Sequence, residues 1–261
     1  MKIPLVYGKG KMDLDVPDEN LLAVVEPNKL PSADSEEDIL EYLAQKCNEV
    51  IEKHDKILVI VNDGDRVTPT HKVLEAMEPH LTDNSHRIRF IVATGSHGPP
   101  TDTELDRIFG TVRECGADIE IHNAKESEMK AFGITSLGTP IAVNSIIDWP
   151  DAVICVNSVE PHYFAGFTGG RKSLVPGIAS YDTIEKNHSW AMDPDSKSVK
   201  LEGNPVNEDM TEGVEMITKD LPTYGAQMIL DGTTLVHGEF GPLKDAFKRA
   251  VEISRKVSCS A

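Results

Sequence analysis

The sequence predicts an α/β protein built on a doubly wound, mostly parallel sheet, with helices on both faces and a short β-rich N-terminal segment. Two observations lead to this prediction. Short, continuously apolar runs alternate with longer amphipathic segments, and no internal repeat or low-complexity tract interrupts them. Such apolar runs are typical of strands buried on both faces, as in parallel sheets. We expect residues 1–261 to form a single domain with a substantial core.

The elements of the first half are indicated by periodicity and by helix-capping residues. Residues 1–30 alternate weakly between apolar and polar side chains and predict the β-rich entry. Ser35 is the expected N-cap of a helix over 35–54, which carries apolar residues at helical spacing. Thr101 and Glu104 fit a capping box at the start of another helix. The remaining predictions are strands at 56–61, 87–94 and 118–123 and a helix at 71–81.

The second half continues the same alternation after residues 124–150, an ambiguous stretch for which a hairpin is one interpretation. Ser180 is the expected cap of a helix over 180–192. Asn204 caps a further helix, because Pro205 follows it at the first helical position. The other predicted elements are strands at 151–158 and 226–233 and helices at 204–221 and 241–257.

Chemically distinctive side chains follow three of the predicted strands. Asp63 and Arg66 follow the first, His97 the second and His162 the third. Ligands of such sheets bind outside the carboxyl ends of the strands, so three loops can bring these groups to one edge. For Asp63 the alternative is a simple turn, because Asn-Asp-Gly is a turn sequence in its own right.

The run PHYFAGFTGGRKS, residues 161–173, is unusual in so acidic a chain. The window 161–181 holds no acidic residue, although 43 of the 261 residues are Asp or Glu. One interpretation is a cationic, glycine-rich pocket for an anion, with Arg171 and Lys172 supplying charge; the other is a glycine turn with solvated cations. The run departs from the phosphate loop G-x-x-x-x-G-K-S because Arg171 occupies the second glycine position, so we expect no standard nucleoside triphosphate site.

Three of the nine histidines are candidates for chemistry. His97 and His162 lie in loops after strands, where a near-neutral imidazole can take a proton from a hydroxyl. His188 lies on a predicted helix and can bind a metal through one ring nitrogen. The structural alternatives are surface loop histidines and a half-buried helical histidine. The other six are expected at the surface: His54, His71, His80, His86, His122 and His237.

Composition narrows the classes of partner and compartment. The net charge of −17 argues against binding to nucleic acid or to anionic membranes, since phosphate binding needs a cationic face. No apolar run is long enough to span a bilayer, and the N-terminus has no apolar segment with a cleavage site. The four cysteines are far apart, which favours reduced thiols and a cytoplasmic protein.

Three motifs together resemble one known family. They are VNDGDRVTPT, ATGSHGPPTDTEL and VEPHYFAGFTGGRKSLVPGIASYDTIEKNH, and they occur in the family's order. On these motifs the chain, from about residue 50 to 210, resembles the N-terminal domain of the nickel-dependent lactate racemases. Val67 and Gly98 depart from the residues that family members often carry there. The family's second, C-terminal domain is not expected in this chain.

The resemblance implies a nickel-pincer nucleotide, pyridinium-3-thioamide-5-thiocarboxylic acid mononucleotide with nickel, as the cofactor. It implies that Lys172 is joined covalently to the cofactor and that His188 is the protein ligand to nickel. It implies that His97 and His162 are the paired acid/base residues and that Arg66 binds the carboxylate of the substrate. The residues implied on the cofactor side, besides Lys172, are Asp63, Thr68, Gly169, Gly170, Arg171 and Ser173.

The activity implied by the resemblance is racemisation or epimerisation of a small, lactate-like 2-hydroxy acid by hydride transfer to and from the cofactor. The implied partners are that acid and the cofactor-synthesis proteins. Two alternatives stay open. One is a non-catalytic nucleotide- or anion-binding carrier module without a second domain. The other is a metal-dependent hydrolase that uses His162 and His188.

Overall fold

The computed structural model describes residues 1–7, 10–24, 28, 34–64, 68–83, 87–114, 116 and 118–258. The strands are β1 (Lys2–Tyr7), β2 (Gly10–Asp15), β3 (Ile57–Asn62), β4 (Ile88–Ala93), β5 (Asp118–Ile121), β6 (Met129–Ile134), β7 (Pro140–Asn144), β8 (Ala152–Ser158), β9 (Pro161–His162), β10 (Gly166–Phe167), β11 (Thr223–Asp231) and β12 (Thr234–Pro242). The α-helices are α1 (Glu36–Ile51), α2 (Thr70–Ala76), α3 (Glu78–Asp83), α4 (Asp102–Phe109), α5 (Tyr181–Ser189), α6 (Pro205–Thr218) and α7 (Leu243–Ser258).

A six-stranded sheet with the order β12-β11-β8-β3-β4-β5 forms the centre. All neighbouring strands from β11 to β5 are parallel, and β12 runs antiparallel at the edge. The chain builds from β3 outward to β5 and then returns to β8 on the other side of β3. The strand order therefore reverses between β3 and β8, where doubly wound sheets bind ligands. The predicted α/β class is confirmed.

Apolar side chains of the central strands pack on both faces of the sheet. In β3, Ile57, Val59 and Val61 join the core formed with α1, α2 and α4. Leu58 and Ile60 point to the opposite core, which includes residues of α5 and α6. All five side chains are fully buried, which explains the unbroken apolar run in the sequence.

The helix starts agree with the predicted capping residues. Each cap side chain accepts a hydrogen bond from a backbone N–H in the first turn, which satisfies a donor that has no partner within the helix. At Ser35 and Thr101 the box is reciprocal, since the third helical residue bonds back to the cap's own N–H. The four caps are Ser35, Thr101, Ser180 and Asn204.

The structure also differs from the sequence-based expectations. The predicted helix over 71–81 is two short helices, α2 and α3. The edge strand β12 was not predicted. Its Gly238 breaks the apolar pattern because α1 crosses there, and a Cβ would lie 2.8 Å from Ile39 Cγ2. His122, expected at the surface, is buried with Nε2 2.9 Å from the Ala179 carbonyl oxygen, and burial lowers its pKa.

Outside the central sheet, the described chain adds three two-stranded antiparallel pairs, of which β9 and β10 form the shortest. Strands β1 and β2 form the β-rich entry, and β6 and β7 form a hairpin within the ambiguous stretch. Among the described helices, none combines the length and apolarity needed to cross a membrane.

A buried carboxylate connects this second hairpin to the helices beside it. Asp209 of α6 is 1% exposed and accepts hydrogen bonds from Thr139 Oγ1 at 2.7 Å, from Asn187 Nδ2 at 2.8 Å and from Thr135 Oγ1. Because Asn187 precedes His188 in α5, Asp209 fixes the helix that carries this candidate site residue.

We predict that Asp209→Ala lowers the free energy of unfolding by about 3 kcal/mol, because three buried donors lose their acceptor. Urea denaturation measures the loss. The control is Glu212→Ala on the same helix, which removes a partly exposed carboxylate bonded to Ser136 and should cost less than about 1 kcal/mol. Equal losses for the two variants would contradict the assigned role of Asp209.

Candidate active site

A cavity of about 740 Å³ opens at the carboxyl ends of β3, β4 and β8. It lies where the strand order reverses. Its wall includes Asp63 after β3, His97 after β4, and three residues of the chain after β8, namely His162, Lys172 and His188. The structure therefore brings together five of the residues singled out in the sequence. Arg66 lies outside the described residues.

His97 is held by a carboxylate at the edge of this cavity. Its Nδ1 lies 2.6 Å from Asp63 Oδ2, and the side chain of Asp63 is 9% exposed whereas that of His97 is 52% exposed. A carboxylate accepts the proton of Nδ1, so the neutral ring carries its lone pair on Nε2. The backbone of this loop is fixed by Gly95 N–H, which donates to the Gly177 carbonyl at 2.9 Å.

His162 is held in the opposite tautomer. It lies in β9, which pairs with β10, and its Nδ1 accepts from the N–H of Ala165 at 3.3 Å. The neutral ring therefore carries its proton on Nε2. Tyr163 stacks on the imidazole at 4.7 Å between centroids, and Phe164 packs edge-on at 4.6 Å. These rings cover the imidazole on two sides.

Lys172 and His188 meet around Phe164. The ammonium of Lys172 lies 5.8 Å from the centre of the Phe164 ring, and the His188 ring lies 5.1 Å from it. Burial, with the charge of Lys172 as a second cause, lowers the pKa of His188 from 6.5 to about 4, although the Ile184 carbonyl opposes the shift. At neutral pH His188 is therefore the neutral imidazole, which is the form that ligates metals.

Two buried amide side chains hold the glycine-rich loop from below. Gly170 N–H donates to Asn157 Oδ1 at 3.2 Å and to Gln227 Oε1 at 2.8 Å, while Asn157 Nδ2 donates to Ser173 Oγ at 2.7 Å. Asn157 of β8 and Gln227 of β11 are register partners. Sequence reasoning missed both. The available signal was a polar residue inside each of two otherwise apolar strands.

The glycines of this loop are required by the packing of the protein itself. Gly169 and Gly170 have φ of 74° and 53°, a region that favours glycine. A Cβ on Gly169 would lie 2.6 Å from the Ser158 carbonyl oxygen, and one on Gly170 would lie 2.5 Å from the Phe247 ring. The N–H of Gly170 donates to protein amides, so this N–H does not face an anion as the pocket interpretation suggested.

Arg171 lies behind the cavity wall and is 5% exposed. Its Nη2 donates to the carbonyls of Ala165 at 2.8 Å and Phe167 at 3.3 Å, and its guanidinium stacks on Phe247 at 4.5 Å. Burial lowers the pKa of Arg171 to about 9. These contacts make Arg171 a clamp that fixes the loop from inside.

The residues expected on the cofactor side thus divide into two groups. Four of them line the cavity, namely Asp63, Gly169, Lys172 and Ser173. The other three are not among the described residues that line it, namely Thr68, Gly170 and Arg171. Thr68 Oγ1 accepts from Asn62 Nδ2 at 3.0 Å and lies 2.7 Å from Ser158 Oγ, so it joins the ends of β3 and β8. Thr68, Gly170 and Arg171 support the wall from behind.

Comparison with known proteins adds a family match. Residues 7–199 match the family described as the lactate racemase N-terminal domain. The chain is 31% identical over 222 residues to the lactate racemase of Thermoanaerobacterium thermosaccharolyticum, covering 80% of this chain and 52% of that protein. It is 30% identical over 270 residues to the lactate racemase of Lactiplantibacillus plantarum, covering 98% of this chain and 63% of that protein.

Solved structures share the fold. The lactate racemase apoprotein of Thermoanaerobacterium thermosaccharolyticum superposes with a TM-score of 0.85 at 26% identity, over 98% of this chain and 63% of that one. A protein of Thermotoga maritima superposes with a TM-score of 0.75 at 23% identity, over 87% and 60%. The chain spans between about half and two thirds of the length of the curated relatives it matches.

We predict that His188 stays neutral in the folded protein down to about pH 5. Between pH 4 and 6.5 the unfolded chain then binds more protons at this site than the native state does. The free energy of unfolding therefore falls as pH drops through this window. His188→Asn should flatten that fall in urea denaturation, and ring nitrogen shifts in NMR should report a neutral imidazole. An unchanged pH dependence in the variant would contradict this.

We predict that Arg171→Met lowers the free energy of unfolding by about 2 kcal/mol, because the carbonyls of Ala165 and Phe167 lose the hydrogen bonds that the buried guanidinium donates. Hydrogen exchange should become faster in residues 161–173. Arg255→Met is the control, since Arg255 also stacks on an aromatic ring, Phe167, at 5.0 Å but lies at the surface. The control should cost less than about 1 kcal/mol. Unchanged exchange in the loop of Arg171→Met would exclude the clamp.

Proposed function

Because the chain belongs to the lactate racemase N-terminal domain family, we propose that it racemises or epimerises a small 2-hydroxy acid with a nickel-pincer nucleotide as cofactor. The observation that carries the proposal is the single cavity lined by His97, His162, Lys172 and His188. The relatives named lactate racemase are longer than this chain, so the activity of the whole protein is part of the proposal.

The residues of the cavity fit this cofactor. His188 is neutral and so offers a ring nitrogen to nickel. Lys172 presents an amine on the same wall for the covalent link, with Gly169 and Ser173 beside it. When bound, the cofactor supplies a site that accepts and returns hydride, which avoids removal of a weakly acidic C–H as a proton.

His97 is suited to act as the base for one enantiomer. Its Nε2 carries the lone pair because Asp63 accepts from Nδ1, so Nε2 can take the proton of the substrate hydroxyl. The Asp63 carboxylate also stabilises the imidazolium that results. The same nitrogen returns the proton when the hydroxyl is restored.

His162 complements His97. In the neutral ring its Nε2 carries a proton, because Nδ1 accepts from the Ala165 N–H. The neutral His162 ring therefore offers Nε2–H as a hydrogen bond to the substrate oxygen. To act as an acid the ring must first take up a second proton, so that the imidazolium donates to the oxygen and returns to the neutral ring, while His97 acts as the base on the other side of the planar 2-keto acid. Tyr163 and Phe164 cover the His162 ring and limit the access of water.

The charge of the cavity suits a carboxylate substrate. The whole chain carries −17, yet Asp63 is the one acidic residue among the described residues that line the cavity. Asp63 is occupied by His97. Lys172 on the wall and Arg171 behind it leave a local positive field, which raises the local concentration of anions.

Two other functions are distinguishable from this one. A carrier module would bind the cofactor or a similar anion through Lys172 without turnover. A zinc hydrolase would need several protein ligands around the metal. Within the described part of the chain, no group of three or more His, Cys, Asp or Glu side chains is arranged to hold a metal ion. The hydrolase hypothesis gains no support from this geometry.

The proposal is tested with protein produced in a host that makes the cofactor. We expect a covalent mass adduct that maps to Lys172, and interconversion of D- and L-lactate or another 2-hydroxy acid followed by chiral chromatography. Lys172→Ala should lose the adduct and the activity. His97→Gln should keep the adduct but lower turnover by a hundredfold or more, because only the base is removed.

The outcomes separate the alternatives. An adduct without turnover of any 2-hydroxy acid would favour the carrier module. Absence of the adduct, in a host where a full-length lactate racemase is loaded, would contradict the cofactor proposal. Equal turnover by wild type and His97→Gln would exclude His97 as a base.

A further inference from the structure

A second cavity, of about 490 Å³, adjoins the first on the other side of His97. Gly95, Ser96 and His97 belong to the walls of both cavities. The second cavity extends past the end of β5 to Lys125 and Tyr181. A molecule that reacts at His97 can therefore extend into this space.

Helix α5 borders both cavities along one face. Tyr181, Ile184 and His188 are spaced i, i+3 and i+7, which places them on the same side of a helix. Tyr181 lines the second cavity, whereas Ile184 and His188 line the first. The seven steps from Tyr181 to His188 span about 10 Å along the helix axis. The two cavities therefore lie side by side along α5, and together they are called the groove.

The groove has open space directly beyond the candidate base. Gly98 lines the second cavity, and a Cβ added to it would meet no atom within 4 Å. A side chain at this position would occupy the space next to His97. With glycine there, the space is available to a substituent on the substrate.

Lys125 supplies a positive charge at the far end of the groove. Its ammonium lies 4.5 Å from the centre of the Tyr181 ring, and the described residues place no carboxylate within ion-pair distance of it. The turn is fixed, because Asn123 Oδ1 accepts from Lys125 N–H at 3.0 Å and Ala124 accepts from Tyr181 N–H at 2.9 Å. Glu126 also borders the cavity, but its carboxylate accepts from Asn123 Nδ2 at 2.9 Å.

We propose that the second cavity is a specificity subsite for 2-hydroxy acids that carry a second anionic group at their far end. The distal anion pairs with Lys125, and the connecting carbons pack beside Tyr181 and over Gly98. The inference rests on the proposed function, because it takes the reacting end of the substrate to lie at His97. A distal carboxylate and a distal phosphate share the required chemistry.

Calorimetric titration of unloaded protein tests the subsite without turnover. 2-Hydroxyglutarate is compared with 2-hydroxyvalerate, which has the same chain length but no distal carboxylate, and 3-phosphoglycerate is compared with glycerate. We expect each acid with a distal anion to bind about fivefold more tightly than its partner at low salt. The pair with the larger ratio identifies the preferred distal group.

Lys125→Met should abolish this preference. The control is Lys186→Met, since Lys186 also stacks on an aromatic ring, Trp190, at 4.7 Å but does not line either cavity among the described residues. The control should keep the preference. Equal binding within both pairs of acids, no binding by any of them, or a preference that survives in Lys125→Met overturns the subsite.

Turnover by cofactor-loaded protein separates this inference from the proposed function. If loaded protein interconverts 2-hydroxy acids, Lys125→Met should raise KM for the acid with a distal anion about fivefold and leave kcat and the reaction of lactate unchanged. Turnover in which Lys125→Met affects lactate equally would overturn the subsite and keep the racemase proposal. A Lys125-dependent binding preference without turnover of any acid would overturn the racemase proposal and leave an anion site.

Discussion

The hydrogen bonds of two buried amides, Asn157 and Gln227, are the constraint on which the cavity depends. They hold Gly170 and Ser173 at the carboxyl ends of β8 and β11, where the loop after β8 turns into the sheet edge. Buried amide and backbone groups are costly to leave without partners, so this loop has few alternative positions. Lys172 lies between Gly170 and Ser173 in the chain, and the residues from His162 onward approach from the same loop. The position of the candidate catalytic groups therefore follows from bonds made beneath them.

The electrostatic design of the cavity has a cost in stability. Arg171 is buried with Nε and Nη1 unpartnered among the described residues, and burial lowers its pKa. A buried cation without a carboxylate partner is unfavourable for folding. The stacking on Phe247 and the two carbonyl bonds offset this cost, which is why removal of the guanidinium is expected to destabilise the fold. The loop thereby carries a fixed positive charge, which favours the anionic substrate of the proposed function. The buried charge of Arg171 is therefore both favourable for an anion in the cavity and unfavourable for folding.

The sequence predicted the parts of this structure that depend on local pattern. Apolar runs identified the central strands, and capping residues identified the starts of four helices. Each of these signals is contained in a few neighbouring residues of the sequence, so it can be recognised without the fold. The capping residues are Ser35, Thr101, Ser180 and Asn204. Motif spacing identified the residues of the glycine-rich loop but not the direction in which each one points. Gly170 and Arg171 face the protein interior because of Phe247, Asn157 and Gln227, which are distant in the chain. Strand β12 was not predicted for a similar reason. Its Gly238 is required by the close packing of α1, which is distant in the sequence.

Helix α5 connects the chemistry of the cavity to its specificity. His188 lies at one end, facing the first cavity, and Tyr181 at the other, facing the second. Between them Asn187 bonds to Asp209, which is buried and also bonded to the second hairpin, so the helix is fixed against rotation and sliding. The distance between His188, the proposed nickel ligand, and Tyr181, beside which the proposed substrate tail packs, is then set by helix geometry. Gly98 and Lys125 lie on loops that face this helix. Changes at these two positions can alter which substrate fits without moving His188, so specificity and chemistry can vary separately on one scaffold.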